Sequence, residues 1–203
     1  MNRFDALASS WDADPEKAER ARRVARAIIE RTQPGGHWLD YGAGTGALGL
    51  SLLGHAEQLT LADSSLGMLA TAGQKIAVAG LADRVQTLEL DLGANGTTDQ
   101  RFDGAVSLLV LHHIDDVERA VARLAGLLRP GGWLALSDLE DEDGSFHGDH
   151  APHAHHHGFD RERVADWVRR AGLVDVDLTT PYALHKNGRA YPLFLVMGRL
   201  PAA

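Results

Sequence analysis

Cysteine is absent from all 203 residues, which removes disulfide frameworks, thiolate metal sites and cysteine nucleophiles together. Long apolar runs are missing too. No stretch approaches the roughly 20 residues needed to cross a bilayer, and the N-terminal MNRFDALASSWDADPEKAER holds no signal-like apolar core. A cytoplasmic protein without membrane attachment is expected. Positive charge is also short: 28 acidic side chains outnumber 20 basic ones, and the net charge of -8 repels phosphate backbones and anionic head groups. Neither a nucleic-acid nor a membrane partner is expected. What is present is enough length, at 44% apolar composition, for one buried core, so residues 1–203 read as a single domain. The oligomeric state is left open.

Helix and strand signals alternate through the first two thirds. Asp14 as a cap with Pro15 behind it starts a helix whose apolar stripe is Ala21, Val24, Ala25, Ile28 and Ile29. A short strand, residues 37–41, runs into glycines and a helical stretch, 48–53. Strand 59–62, helix 66–79, strands 85–90 and 102–110, helix 117–128 and strand 133–139 follow, the last after a Pro-Gly-Gly breaker. Such alternation implies parallel pairing through right-handed crossovers. The last third changes rhythm: helix 161–171 precedes strands 174–180 and 191–199 around Lys186-Asn187-Gly188-Arg189, where Asn-Gly marks a tight hairpin. The expected fold is an α/β, Rossmann-like, doubly wound seven-stranded sheet in three α/β/α layers, mostly parallel with an antiparallel C-terminal ending.

Gly42, Gly44 and Gly46 in LDYGAGTG sit where a strand enters a helix, so a ligand can lie against bare backbone near unpaired helix N–H groups. Asp63 ends the next strand 21 residues beyond Gly42, the position for accepting hydrogen bonds from a ribose, although a helix cap would use the same residue. With Asp40 and Asp91, three carboxylates stand at successive strand ends, on the edge where open parallel sheets bind ligands. Gly42, Gly44 and Ala47 also satisfy a dinucleotide fingerprint, which keeps an NAD(P)-dependent oxidoreductase as the alternative. A carboxylate at Asp40 suits a cationic amino group and opposes a pyrophosphate.

These segments together resemble the class I S-adenosylmethionine-dependent methyltransferases that act on small molecules. LDYGAGTG is similar to their first motif, LADSSLGML to the ribose-binding second, LDL at 90–92 to the adenine segment, FDGAVSLLVLHHIDD to the fourth-strand end and LLRPGGWLALSDL to the fifth strand. The resemblance implies S-adenosyl-L-methionine as cofactor, S-adenosyl-L-homocysteine as product and a small-molecule methyl acceptor as partner. It places Asp40 near the methionine amino group, Gly42, Ala43 and Gly44 along the methionine and ribose, and Asp63 with Ser64 at the ribose. Met68 then packs near the adenine, Asp91 accepts from its amine, Leu92 offers a backbone N–H, and Leu109 lies beside the cofactor. Tyr41 stands where the family usually has an apolar residue. A nucleoside-binding pseudoenzyme is a further alternative.

For the acceptor side, Phe4, Leu7 and Trp11 form an apolar face in an N-terminal lid or cap, residues 1–33; a simple staple onto the core is the bland alternative. The polar segment 140–160 is the expected substrate-side loop. It carries six of the chain's eleven histidines, His147, His150, His153, His155, His156 and His157, in spacings that match no zinc pattern, so no dedicated metal site is expected. His112 and His113 after the fourth strand, and His156 and His157 before capping Asp160, are the candidate catalytic groups, with a pKa near ~6.5 suited to accepting a proton. His147 and Tyr182 are placed at the substrate rim.

Overall fold

A computed structural model describes residues 3–94, 96–146 and 154–202. A 3₁₀ helix, Arg3–Ala13, leads into α1 (Pro15–Thr32), where the Asp14 side chain accepts the Glu16 N–H at 2.9 Å and Pro15 begins the first turn. The order is then β1 (His37–Tyr41), α2 (Ala47–Leu52), β2 (Gln58–Asp63), α3 (Leu66–Val78), β3 (Val85–Glu89), β4 (Phe102–Leu108), α4 (Val117–Gly126), β5 (Leu128–Leu139), α5 (Arg161–Arg170), β6 (Val174–Lys186) and β7 (Arg189–Arg199). The seven strands form one sheet in the order β3-β2-β1-β4-β5-β7-β6. Pairing is parallel from β3 to β5, while β7 runs antiparallel to both β5 and β6.

Alternation along the strands divides the apolar residues between two layers. Trp38, Leu61, Val106 and Ala135 pack with Val24 and Ile28 of α1, Leu52 of α2 and Ile76 of α3; Leu39, Ala105, Leu134 and Leu136 pack with Val121 and Leu124 of α4 and Val168 of α5. Four consecutive residues of β1, Trp38 to Tyr41, are buried because helices cover both faces of this central strand. Among the described residues, no helix is long and apolar enough to cross a membrane.

Three details depart from the sequence reading. β5 begins at Leu128, so Pro130-Gly131-Gly132 lies inside the strand; a register shift between Phe102 and Gly104 of β4 absorbs the irregularity. β4 stops at Leu108, and Leu111–His113 form a 3₁₀ turn. β6 extends to Lys186, meeting β7 across Asn187 and Gly188 at φ 52 and 75, the positive angles an Asn-Gly hairpin requires.

The strand order reverses between β1 and β4, because the chain crosses from β3 back past β1. The carboxyl ends of the strands on either side diverge there, leaving the crevice in which open α/β sheets take ligands.

Candidate active site

That crevice is a cavity of about 290 Å³. Its floor is the turn after β1, where the Gly42 and Ala43 amides donate to the Ala62 carbonyl at 2.8 and 2.9 Å, locking the turn to β2. Gly42 has φ 70, and a Cβ there would lie 2.3 Å from Val110 Cγ2, so glycine is required twice over. At Gly44, φ 54, a Cβ would meet only ordinary contacts, the Trp11 indole at 3.5 Å and Met68 Sδ at 3.9 Å. The sequence-predicted Asp40, Gly42, Ala43, Gly44, Asp63, Ser64, Met68, Asp91 and Leu109 all line this one cavity.

Asp63 organises the floor as well as facing it. Its Oδ2 accepts the Gly44 N–H and its Oδ1 the Ser65 N–H, both at 2.8 Å. Burial pushes its pKa above the usual carboxylate range, with those amide donors pulling the other way. The cap of α3 is Ser65, whose Oγ accepts the Met68 N–H. The helix cap is thus Ser65, and Asp63, which the Ser64 amide also approaches, keeps acceptor capacity for a ligand hydroxyl.

Asp40 is 1% exposed, and its Oδ2 accepts the Gly49 N–H of α2 at 2.8 Å. Burial, joined by the like charge of Asp63, pushes its pKa up to about 7. A bound ammonium group holds Asp40 ionised, so affinity for any ligand that places one there is coupled to proton release. S-adenosylhomocysteine affinity is expected to be level above pH 7 and to fall below it, by up to about tenfold per unit. Calorimetric titration from pH 6 to 8 checks this; a flat profile in wild type, or the same slope in Asp40→Asn, contradicts the assignment. In the free protein the sign is opposite: the raised pKa makes the fold lose stability as pH climbs from 3.8 towards 7.

The same cavity is lined by Lys17 and Arg20 of α1, neither of which the sequence reading singled out. Lys17 donates to the Trp11 carbonyl at 3.0 Å and lies 3.6 Å from the Trp11 ring centroid. Arg20 Nε is buried and has no hydrogen-bond partner among the described residues. Burial holds the guanidinium below the usual arginine range, with Asp14 and Glu16 opposing. A largely buried guanidinium with an unused donor is a site awaiting an anion. The available signal was Arg20's place directly before Ala21 on the buried edge of α1, which apolar periodicity alone passes over.

The N-terminal 3₁₀ helix lies over the opening. Asp5 accepts from Ser65 Oγ at 2.6 Å and from the Gly67 N–H at 3.0 Å, while Asp12 accepts from Thr45 Oγ1 at 2.6 Å and pairs with Lys75 at 3.0 Å. Phe4 and Trp11, in edge contact at 5.9 Å, line the cavity; Leu7 points outward and is 39% exposed. Of the expected lid or cap, residues 3–13 reach the cavity through Phe4, Trp11 and Asp12, while α1 gives Lys17, Arg20 and Ala21 to the cavity and Val24 and Ile28 to the core.

The structure sorts the histidines. His113 lines the cavity, with Phe4 5.4 Å away in edge contact. His112, one third of a 3₁₀ turn earlier, points into the protein; its Nδ1 lies 2.7 Å from Asp138 Oδ1 and both side chains are buried. His156 is not at the cavity: its Nε2 lies 3.0 Å from the Ile114 carbonyl, and the His155 and His156 amides donate to the His112 carbonyl. His157 is likewise elsewhere, beside Glu142 at 3.9 Å. Tyr182 does not line the cavity either, since its hydroxyl donates to Glu16 Oε1 at 3.3 Å. No described residue of 140–160 lines it. His147, His150 and His153 lie outside the described residues.

Leu92 is the remaining correction. It is 3% exposed, and its N–H, expected to face a nucleobase, donates at 3.1 Å to the Tyr41 hydroxyl. A tyrosine at the end of β1 is long enough to reach the loop after β3, and an apolar residue there would have left the amide open.

Comparison with known proteins assigns the chain to a family. Residues 16–178 match the family model described as a methyltransferase domain, and the chain belongs to that family, within the class I S-adenosylmethionine-dependent methyltransferases. The ubiquinone biosynthesis O-methyltransferase of Xanthomonas axonopodis pv. citri is 31% identical over 192 residues, covering 85% of this chain and 79% of its own. An uncharacterized methyltransferase of Schizosaccharomyces pombe is 28% identical over 153 residues, 69% of this chain and 54% of its own, so the chain spans about half the length of that relative. Among solved structures, a complex of DhpI with SAM and HEP superposes with a TM-score of 0.73 at 21% identity, covering 98% of this chain and 94% of that one. A likeness at that level concerns the fold alone.

Proposed function

We propose that the protein transfers the methyl group of S-adenosylmethionine to a small-molecule acceptor held between the glycine turn and the N-terminal cover. The observation that carries this is that one cavity is lined both by buried Asp40 and by the cations Lys17 and Arg20, the latter with a buried Nε that has no partner among the described residues. An α-amino-acid zwitterion satisfies both, its ammonium on Asp40 and its carboxylate on Arg20. A dinucleotide pyrophosphate satisfies Arg20 and is repelled by Asp40, Asp63 and Asp91. Asp63 with Ser64 then takes the ribose, and Met68 and Asp91 flank the base.

The bound cofactor supplies an electrophilic methyl on its sulfonium. The protein's part is to align the acceptor and exclude water, which Phe4, Trp11, Leu109, Val110 and Ile114 do by lining the cavity with apolar surface. Leu109 is held at φ 57, its amide donating to the Ser137 carbonyl, so the strand end bends into the cavity. For an acceptor that attacks through a hydroxyl, His113 is the group placed to take the proton. The likeness to a ubiquinone biosynthesis O-methyltransferase supports an oxygen acceptor on a small molecule, and the net charge of -8 supports a small acceptor over a polyanion.

The test is incubation with methyl-labelled S-adenosylmethionine and a panel of small phenols and carboxylic acids, beside protein and RNA extracts. Label in a small molecule, matched one to one by S-adenosylhomocysteine, is the expected result. Label confined to the protein or RNA fraction overturns the acceptor class.

A further inference from the structure

The cavity's base end carries a donor that the resemblance does not account for. Tyr41 closes β1 with its side chain 4% exposed, directed towards the loop after β3. Its hydroxyl oxygen receives the Leu92 N–H at 3.1 Å, with the Gly93 amide also turned to it. A phenol oxygen that receives amides has its own proton left to give, and no described residue accepts it. Burial, with the charges of Asp91 and Asp63 nearby, pushes the Tyr41 pKa up to about 12, so the proton stays in place at working pH. Asp91, on the same cavity lining and close enough for its charge to act on Tyr41, uses Oδ1 to accept the Ala94 N–H at 3.0 Å, which leaves Oδ2 with no partner among the described residues.

An acceptor beside a donor complements one edge of adenine, where the exocyclic amine adjoins the unprotonated ring nitrogen N1. The backbone N–H that would otherwise make the second contact is spent on Tyr41. We infer that the Tyr41 hydroxyl, relaying the Leu92 amide outward, is the donor that reads adenine N1 and makes Tyr41 a specificity-determining residue of this site. The inference rests on the reading of the cavity as the S-adenosylmethionine site. It also gives a role to a place where the turn departs from the family pattern, since phenylalanine would fill the same volume without the donor.

The experiment is calorimetric titration of wild type with S-adenosylhomocysteine and with its 1-deaza analogue, in which N1 is replaced by C–H, joined by amide NMR of both complexes. Wild type should bind the analogue about five- to tenfold more weakly, the range of one neutral hydrogen bond; no penalty overturns the inference. A Leu92 N–H resonance that is the same with either ligand supports the relay through Tyr41, and one that moves when N1 is removed assigns the contact to Leu92 and overturns it. Failure of wild type to bind S-adenosylhomocysteine at all overturns the cofactor reading, a result distinct from both.

Discussion

Asp63→Ala is expected to weaken S-adenosylhomocysteine binding by more than about 100-fold. On the proposed reading the carboxylate accepts from both ribose hydroxyls, and each charge-assisted bond contributes about 1.5–3 kcal/mol. The same substitution strips the Gly44 and Ser65 amides of their acceptor, so the free protein should lose about 1–3 kcal/mol of stability. Because Asp63 is the last residue of β2 and no member of the apolar clusters, the variant should still fold, as circular dichroism and a single melting transition would report. Asp63→Asn separates the two effects: its carbonyl oxygen keeps one amide partner, so stability should recover more than affinity does. Unchanged binding in Asp63→Ala would mean that the ribose lies elsewhere.

Arg20→Ala should cost about 10- to 100-fold in S-adenosylhomocysteine affinity, one charge-assisted contact, without lowering the melting temperature of the free protein. Removing a buried donor that has no partner relieves a desolvation cost, unlike the removal of a partnered one. The informative control is 5′-methylthioadenosine, which has the nucleoside but no amino-acid tail. Its affinity should be the same in wild type and Arg20→Ala. Equal losses for both ligands would show that Arg20 shapes the fold of α1 and does not meet the carboxylate.

The parts of this molecule that could be read from sequence are those governed by local rules. Glycines at 42, 44 and 46 mark positive φ, and Asn187-Gly188 marks the hairpin, because backbone sterics leave few other residues for those positions. Asp40, Asp63 and Asp91 could be located because parallel strands place their ends on one edge. What escaped depends on long-range geometry. Arg20 adds nothing to the apolar stripe of α1, and only the folded chain brings it to the cavity with Asp40 and Trp11. His112 and His113 are adjacent in sequence, yet a 3₁₀ turn separates neighbours by about a third of a revolution, and only one can face the cavity. His156 is drawn to the Ile114 carbonyl, an attachment across more than forty residues that no local pattern announces. The Tyr41 hydroxyl reaching the Leu92 amide is of the same kind.

The central claim is that the cavity takes a sulfonium nucleoside with a zwitterionic tail. Thermal melting of the wild-type protein with S-adenosylhomocysteine and, separately, NADH tests it most directly. At one hundred times its dissociation constant a ligand stabilises by roughly 2.7 kcal/mol, which moves the melting temperature of a chain this size by several degrees. The account predicts that shift with S-adenosylhomocysteine and none with NADH; stabilisation by NADH alone would contradict it.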